Sequence, residues 1–393
     1  MLALSMFANN MHQIAFITIL CGSLAVAETK ADSESDLWTG SDAHLGGIFF
    51  PHLHAFGVIG DTSGDPMDLA LNGHDPSRSG FNLLALEPAF SMRLGDHLEG
   101  FVVNSYLTDG DGHFTGGNEE AFLKLVNLPG SFEVRGGRYF NRFGFQNARH
   151  NHSWDYVDQH LANSRLLQEG ELTSIGGELT WNLPTRFPAA LSVSLGAPPS
   201  GHGHGHEEEE AEEDHEHGLE AELANFDDYI ATANLVGQWR LNDFHQWMGS
   251  TSVAIGENGF GEDTQLYGLG LEYLWRENGL QAGGSYFRWR TEALLRLIDT
   301  ATGDHDEFGI YSSVSYGLSA QLEASLRVGY VSSLDDFELD ERWRLSPTLT
   351  WSLNADRTVY TRLQYNYDHS SDFGDAHGIW LGLGFNFGGP EVR

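Results

Sequence analysis

Residues 359 to 387 read VYTRLQYNYDHSSDFGDAHGIWLGLGFNF, a stretch whose polarity alternates on both sides of a polar interruption. Val359, Thr361, Leu363, Tyr365 and Tyr367 share one face, and Tyr360, Arg362, Gln364, Asn366 and Asp368 share the other. Beyond the interruption, Leu381, Leu383, Phe385 and Phe387 oppose Gly382, Gly384 and Asn386. A period of two is the signature of strands, because successive side chains of an extended chain point to opposite faces. The apolar face gathers its aromatics toward one end while the other face holds charges and amides, which suits a strand between lipid and a wet lumen.

The same rhythm runs through most of the chain. Tyr267, Leu269, Leu271, Tyr273 and Trp275 oppose Gly268, Gly270 and Glu272. A soluble sandwich alternates too, but connection lengths separate the two architectures. Tight connections fall near Gly95-Asp96, Pro129-Gly130, Pro184 to Pro188, Asn242-Asp243, Glu277-Asn278, Gly317 to Ser319 and Asn354 to Asp356. Between them lie longer ones at 60–79, 109–117, 144–171, 197–224, 257–263, 291–306, 332–340 and 369–376. Short and long connections alternate as periplasmic turns and extracellular loops do. The expected fold is an all-β, transmembrane, antiparallel up-and-down β-barrel of about sixteen strands over residues 44–393, with both termini in the periplasm.

Composition agrees. Charged residues are 20% of the 393, divided into 56 acidic and 21 basic, for a net charge of -35. Such a chain repels phosphate backbones, so no nucleic-acid partner is expected, and divalent cations are natural ones. A mean hydropathy of -0.31 excludes a bundle of membrane helices. Ile14 to Ala27 is apolar but too short to span, and Ala25-Val26-Ala27 fits a signal-peptidase site, so residues 1–27 read as a signal peptide. Residues 28–43 then form a flexible periplasmic N-terminus. The one cysteine, Cys21, lies in the leader, leaving a mature chain without disulfides. Phe387 is followed by GGPEVR, so the aromatic that usually ends a barrel is displaced from the end of the chain.

Two histidine groups carry the chemistry. Residues 201–218, GHGHGHEEEEAEEDHEHG, place His202, His204, His206, His215 and His217 among eight acidic residues. A segment of that composition cannot bury a core, and imidazoles among carboxylates suit exchangeable zinc, nickel or copper. The second group is His150, His152, Asp155, Asp158 and His160 in RHNHSWDYVDQH, where a helical turn from Trp154 would bring the two aspartates together. His52 and His54 share a strand face. If that face is the lumen and the loop bearing His150 and His152 folds beside it, four imidazoles and Asp155 line one constriction. The bland alternative is that these groups hydrogen-bond inside the barrel. Arg135, Arg138, Arg142, Arg288, Arg290, Arg327, Arg342, Arg344 and Arg362 either set a lumenal field for anions or brace the wall against carboxylates such as Glu272, Glu323 and Asp368. No nucleophile elbow, P-loop or dinucleotide fingerprint occurs in the sequence, and no enzymatic activity or required cofactor is expected.

GGRYFNRFGFQNARHNHSWDYVDQHL and GELTSIGGELTWNLP, within residues 136 to 184, resemble a family of bacterial outer-membrane barrels related to the phosphate-selective porins and often described as zinc-regulated outer-membrane proteins. The pattern N-x-x-H-x-H-x-W-D falls on Asn147, His150, His152, Trp154 and Asp155. The resemblance implies a Gram-negative outer-membrane channel made under zinc limitation, with the His-rich loop gathering metal outside. Passive passage of zinc or a zinc complex is the expected function. A general or anion-selective porin, and a metal-sequestering surface protein with a closed pore, are the alternatives. The expected partners are outer-membrane lipid and copies of the chain itself, as a trimer.

Overall fold

The computed structural model describes residues 48–199, 221–281, 283–354, 358–388 and 391–392. The leader, the N-terminus to residue 43 and the His-rich segment 201–218 lie outside these residues. The strands in chain order are β1 (Phe49–Thr62), β2 (Gly80–Leu94), β3 (Leu98–Thr108), β4 (Phe114–Leu128), β5 (Phe132–Phe140), β6 (Thr173–Asn182), β7 (Ala189–Ala197) and β8 (Ile230–Asn242). They continue as β9 (His245–Glu257), β10 (Asp263–Arg276), β11 (Tyr286–Thr300), β12 (Gly303–Gly317), β13 (Leu322–Val331), β14 (Arg342–Ser352), β15 (Val359–Ser370) and β16 (Gly374–Phe387). Each pairs antiparallel with its sequence neighbours, and β1 closes on β16 with His54 opposite Asn386 and Ile59 opposite Leu381.

Closure leaves no sheet edge, and the alternation faces as the sequence predicts. Leu381 and Leu383 project outward, with Leu383 59% exposed, while Tyr360, Gln364, Asn366 and Asp368 are buried inside. An apolar exterior over a polar interior is an inside-out protein, stable only where the outside is lipid. The chain is thus a membrane-spanning barrel of the outer-membrane type; none of its described helices is long and apolar enough to cross a membrane. Aromatic pairs mark both rims, with Phe132 against Trp181 at 5.8 Å near the short turns and Tyr330 against Trp343 at 4.4 Å near the loops.

Some expected boundaries move. Residues 291–306, read as a loop because Glu292, Arg296 and three acidic residues interrupt the apolar run, are mostly strand: β11 and β12 meet in a two-residue turn at Ala301-Thr302. Glu292 and Arg296 face inward there, where a charge is no obstacle to a strand. The loops at 109–117 and 369–376 shorten as well, to 109–113 and 371–373. The 197–224 connection runs on to 229, and Ala221–Ala224 within it form a 3-10 turn whose Ala224 packs with Ile298, Leu334 and Phe337.

The connection from 141 to 172 does not stand outside the barrel but folds into it. Phe143 and Phe145 enter notches in β10, where a Cβ on Gly268 or Gly270 would stand 2.9 and 2.7 Å from their rings. A short helix, α1 (Pro66–Leu69), belongs to the first loop, and α2 (Leu161–Leu166) lies against β12 and β13. Gly309 of β12 makes that approach possible, since a Cβ there would be 2.8 Å from Ala162 Cβ. Phe143, Leu161, Leu166, Leu167 and Leu172 join Leu266 and Leu294 of the wall in one apolar cluster. Each fully buried side chain of this kind stabilises by about 1.5–3 kcal/mol, so the loop is held within the barrel.

Candidate functional site

The crossing loop meets the wall at three stations. At the first, the Gly144 amide donates to Ser252 Oγ at 2.9 Å and the Phe145 amide donates to Glu292 of β11. Asp155 returns to the same wall, 2.8 Å from Arg288 Nη2 and 3.2 Å from Arg149 Nη1, with Arg290 at 3.9 Å. At the second, Asp158 lies between Arg327 Nη2 at 2.6 Å and Arg344 Nη1 at 2.7 Å and accepts from the amides of Gln364 and Asn366, each at 2.7 Å. Arg362 caps the Tyr156 carbonyl at 2.8 Å. The third station holds the imidazoles. Since β10 and β2 lie eight strands apart in a ring of sixteen, the eight residues from Phe145, at Gly270 of β10, to His152, at Glu87 of β2, cross the lumen from one wall to the opposite one.

There the loop histidines meet those of β1. The rings of His54 and His152 stack 3.7 Å apart, His150 follows at 6.0 Å from His152, and His52 lies 6.3 Å from His54. Carboxylates surround them. His150 is held at both ring nitrogens, Nδ1 by Glu119 at 2.5 Å and Nε2 by Glu120 at 2.9 Å. His152 Nδ1 donates to Glu87, and its Nε2 lies 3.8 Å from Glu391 Oε1. His54 Nδ1 donates to Asn386 Oδ1 at 3.1 Å and presents Nε2 to Glu391 at 3.4 Å. His52 Nε2 lies 2.9 Å from Ser91 Oγ. Burial alone would push His150 and His152 down, but the facing carboxylates outweigh it and raise both, His150 well above the ordinary imidazole value. With carboxylates on both nitrogens, His150 is an imidazolium strut rather than a ligand with a free lone pair.

The four expected imidazoles therefore come together, and Asp155 does not join them. Its carboxyl is taken by arginines, which overcome burial and hold it well below the usual carboxylate range. Asp158 is held low in the same way. No helical turn runs from Trp154 through Asp158, so the two aspartates turn to different walls; a 3-10 turn precedes them at Asn151–Ser153. His160 stands apart, stacked on Tyr311 at 3.5 Å, and burial with Arg327 and Arg290 nearby holds it well below the imidazole range. His202, His204, His206, His215 and His217 lie outside the described residues.

Carboxylates answer most of the lumenal arginines. Arg135 and Arg142 converge on Glu178 at 2.9 and 3.2 Å, Arg290 Nε donates to Glu272 at 2.6 Å, and Arg344 Nε donates to Asp368 at 2.8 Å. Arg138 is half-buried and donates to the Glu119 carbonyl at 3.1 Å. Sequence reasoning missed Glu87, Glu119, Glu120 and Glu391. Glu87 carried a readable signal, a lone carboxylate in the apolar run Leu83 to Phe90.

No family model matches the chain, and no curated protein matches it in sequence. Solved structures match in shape. An anion-selective porin from Comamonas acidovorans aligns with a TM-score of 0.54 at 9% identity, covering 86% of this chain and 98% of the porin. OprB of Pseudomonas putida aligns at 0.53 with 10% identity over 86% and 94% of the two chains. OmpT, an outer-membrane protein of Vibrio cholerae in its trimer form, aligns at 0.51 with 9% identity over 86% and 98%. These likenesses establish the porin fold.

Proposed function

We propose that this barrel is a passive outer-membrane channel for zinc or a small zinc complex. The observation that carries the reading is the convergence of His54, His150 and His152 with Glu87, Glu119, Glu120 and Glu391 where the loop crosses the lumen. Imidazole nitrogen suits zinc, and the surrounding carboxylates concentrate dications ahead of it. The short turns face the periplasm in this reading, and the His-rich segment 201–218 gathers metal outside. Family kinship with the zinc-regulated barrels, and assembly as a trimer, belong to the same proposal.

A porin for anions is less well supported, although one protein of like fold is described as anion-selective. Here the arginines lie against Glu178, Glu272, Asp158 and Asp368, which cancels much of the positive field they would otherwise set up. A closed, metal-binding barrel is the second reading, favoured by the loop's span from wall to wall. Conductance across a planar bilayer separates the three. The zinc channel should conduct in chelator, be blocked by micromolar zinc, and lose that block on replacing His54 and His152 with Ala. A conductance indifferent to zinc overturns the proposal in favour of a general porin, and no conductance at all favours the closed barrel.

A further inference from the structure

The displaced end of the chain is not spare. Glu391 and Val392 lie in the lumen, where Val392 is buried and its amide donates to Ser91 Oγ of β2 at 3.2 Å. Glu391 is thereby carried to the stacked pair His54 and His152. One nitrogen of each imidazole and a carboxylate oxygen of Glu391 fall within 4.8 Å of one another.

The geometry is that of a prepared donor set. His54 is held at Nδ1 by Asn386 and His152 at Nδ1 by Glu87, so both rings turn Nε2 toward the Glu391 side, where a bound cation would displace any proton Nε2 carries. An imidazole whose far nitrogen is fixed by an amide oxygen or a carboxylate is the usual arrangement behind a metal-bound histidine. Two imidazoles and one carboxylate make a three-ligand set that leaves a coordination position open. Parallel stacked rings aim their lone pairs along parallel lines, so a shared ion requires them to fan apart about χ2. The strand fixes the backbone of one and the loop that of the other, which leaves this rotation as the main adjustment.

We infer that His54, His152 and Glu391 form an exchangeable site for a single divalent cation of zinc's class, and that its occupancy clamps the C-terminal tail and the crossing loop to β1. The three ligands come from three separate parts of the chain, β1, the 141–172 loop and the tail, so one ion couples all three. The inference deepens the zinc-channel reading by naming ligands and a consequence, and the ion at this site holds the neck closed rather than passing through it.

The test follows the tail and the flux separately in the full-length protein. A spin label attached after Arg393→Cys reports tail motion in detergent, with zinc alone as the probe and chelator as the reference. Zinc should immobilise the label. Glu391→Gln and His54→Ala should each abolish the response, Asn386→Ala should move its midpoint by about tenfold to higher zinc, and His202→Ala should leave it unchanged. A label equally mobile with and without zinc, or a response that survives Glu391→Gln, overturns the site. Potassium conductance in chelator, where the site is empty, is read on the same proteins. Conductance without any tail response to zinc keeps the channel and sinks the clamp, whereas a tail response without conductance in chelator keeps the clamp and sinks the channel.

Discussion

The loop from 141 to 172 is fastened at two places six residues apart by different chemistries. Around His152 the fastening is imidazole against carboxylate; around Asp158 it is guanidinium against carboxylate. Both are buried and both join the loop to the barrel wall. Guanidinium stays protonated at any pH the protein meets and has no lone pair to give, so the Asp158 station is permanent. Imidazole exchanges its proton for a metal within the working range, so the His152 station is adjustable. One end of this span is a rivet and the other a catch.

The largest expected effect comes from breaking the rivet. Asp158→Ala leaves Arg327 and Arg344 buried without their shared carboxylate, at a cost of about 3–5 kcal/mol. Thermal unfolding in detergent should show it, and single-channel records should become noisier as the loop detaches. Records as quiet as the parent's would show that α2 holds the loop unaided. Next is Gly309→Leu, which puts a side chain where Ala162 already lies 2.8 Å from the position of a Cβ. Overpacking there should cost about 1–3 kcal/mol and open the loop to protease added from the loop side.

The catch should yield less. His152→Ala removes one partner of the buried Glu87, worth about 1–2 kcal/mol, and abolishes zinc block while leaving the melting temperature near the parent's. A loss of stability equal to that of Asp158→Ala would erase the distinction between the stations. The smallest effect concerns acid. Arg327 and Arg344 depress Asp158 below its unfolded value of about 3.9, so its contribution is fully present above that value and is lost only as pH falls through the lower folded one. Lowering the pH from 7 to 5 should therefore leave hydrogen exchange at the Val157 amide unchanged, apart from the intrinsic rate. This amide donates to Gln364 beside the rivet.

The barrel was legible because each strand writes its own orientation: Leu381 and Leu383 against Gly382 and Gly384 need no distant partner to be read. The strand count followed from the alternation of short and long connections; the shared face of His52 and His54 followed from the periodicity, but its inward aim did not. The hairpin at 301–302 was hidden because charges facing a lumen look, in sequence, like charges in a loop. What the site lacked was long-range information. Nothing near Asp155 says that Arg288 will claim it, and nothing in GGPEVR says that Glu391 will fold back on His54. The lumenal glycines did carry a signal. Gly268 and Gly270 were read only as the blank face of a strand, yet they are sockets for Phe143 and Phe145.

The rivet also sets an order of assembly. Asp158 meets Arg327 across 169 positions and Asn366 across 208, so the first contact waits for β13 and the second for β15. Contacts so distant along the chain form late, after the loop-closure entropy of everything between them has been met. During insertion the 141–172 segment is consequently untied and the nascent barrel still hollow. The lumen is furnished last, and a chain that stalls before β15 joins would be a wider and less selective hole than the finished protein, recognisable by its unprotected loop.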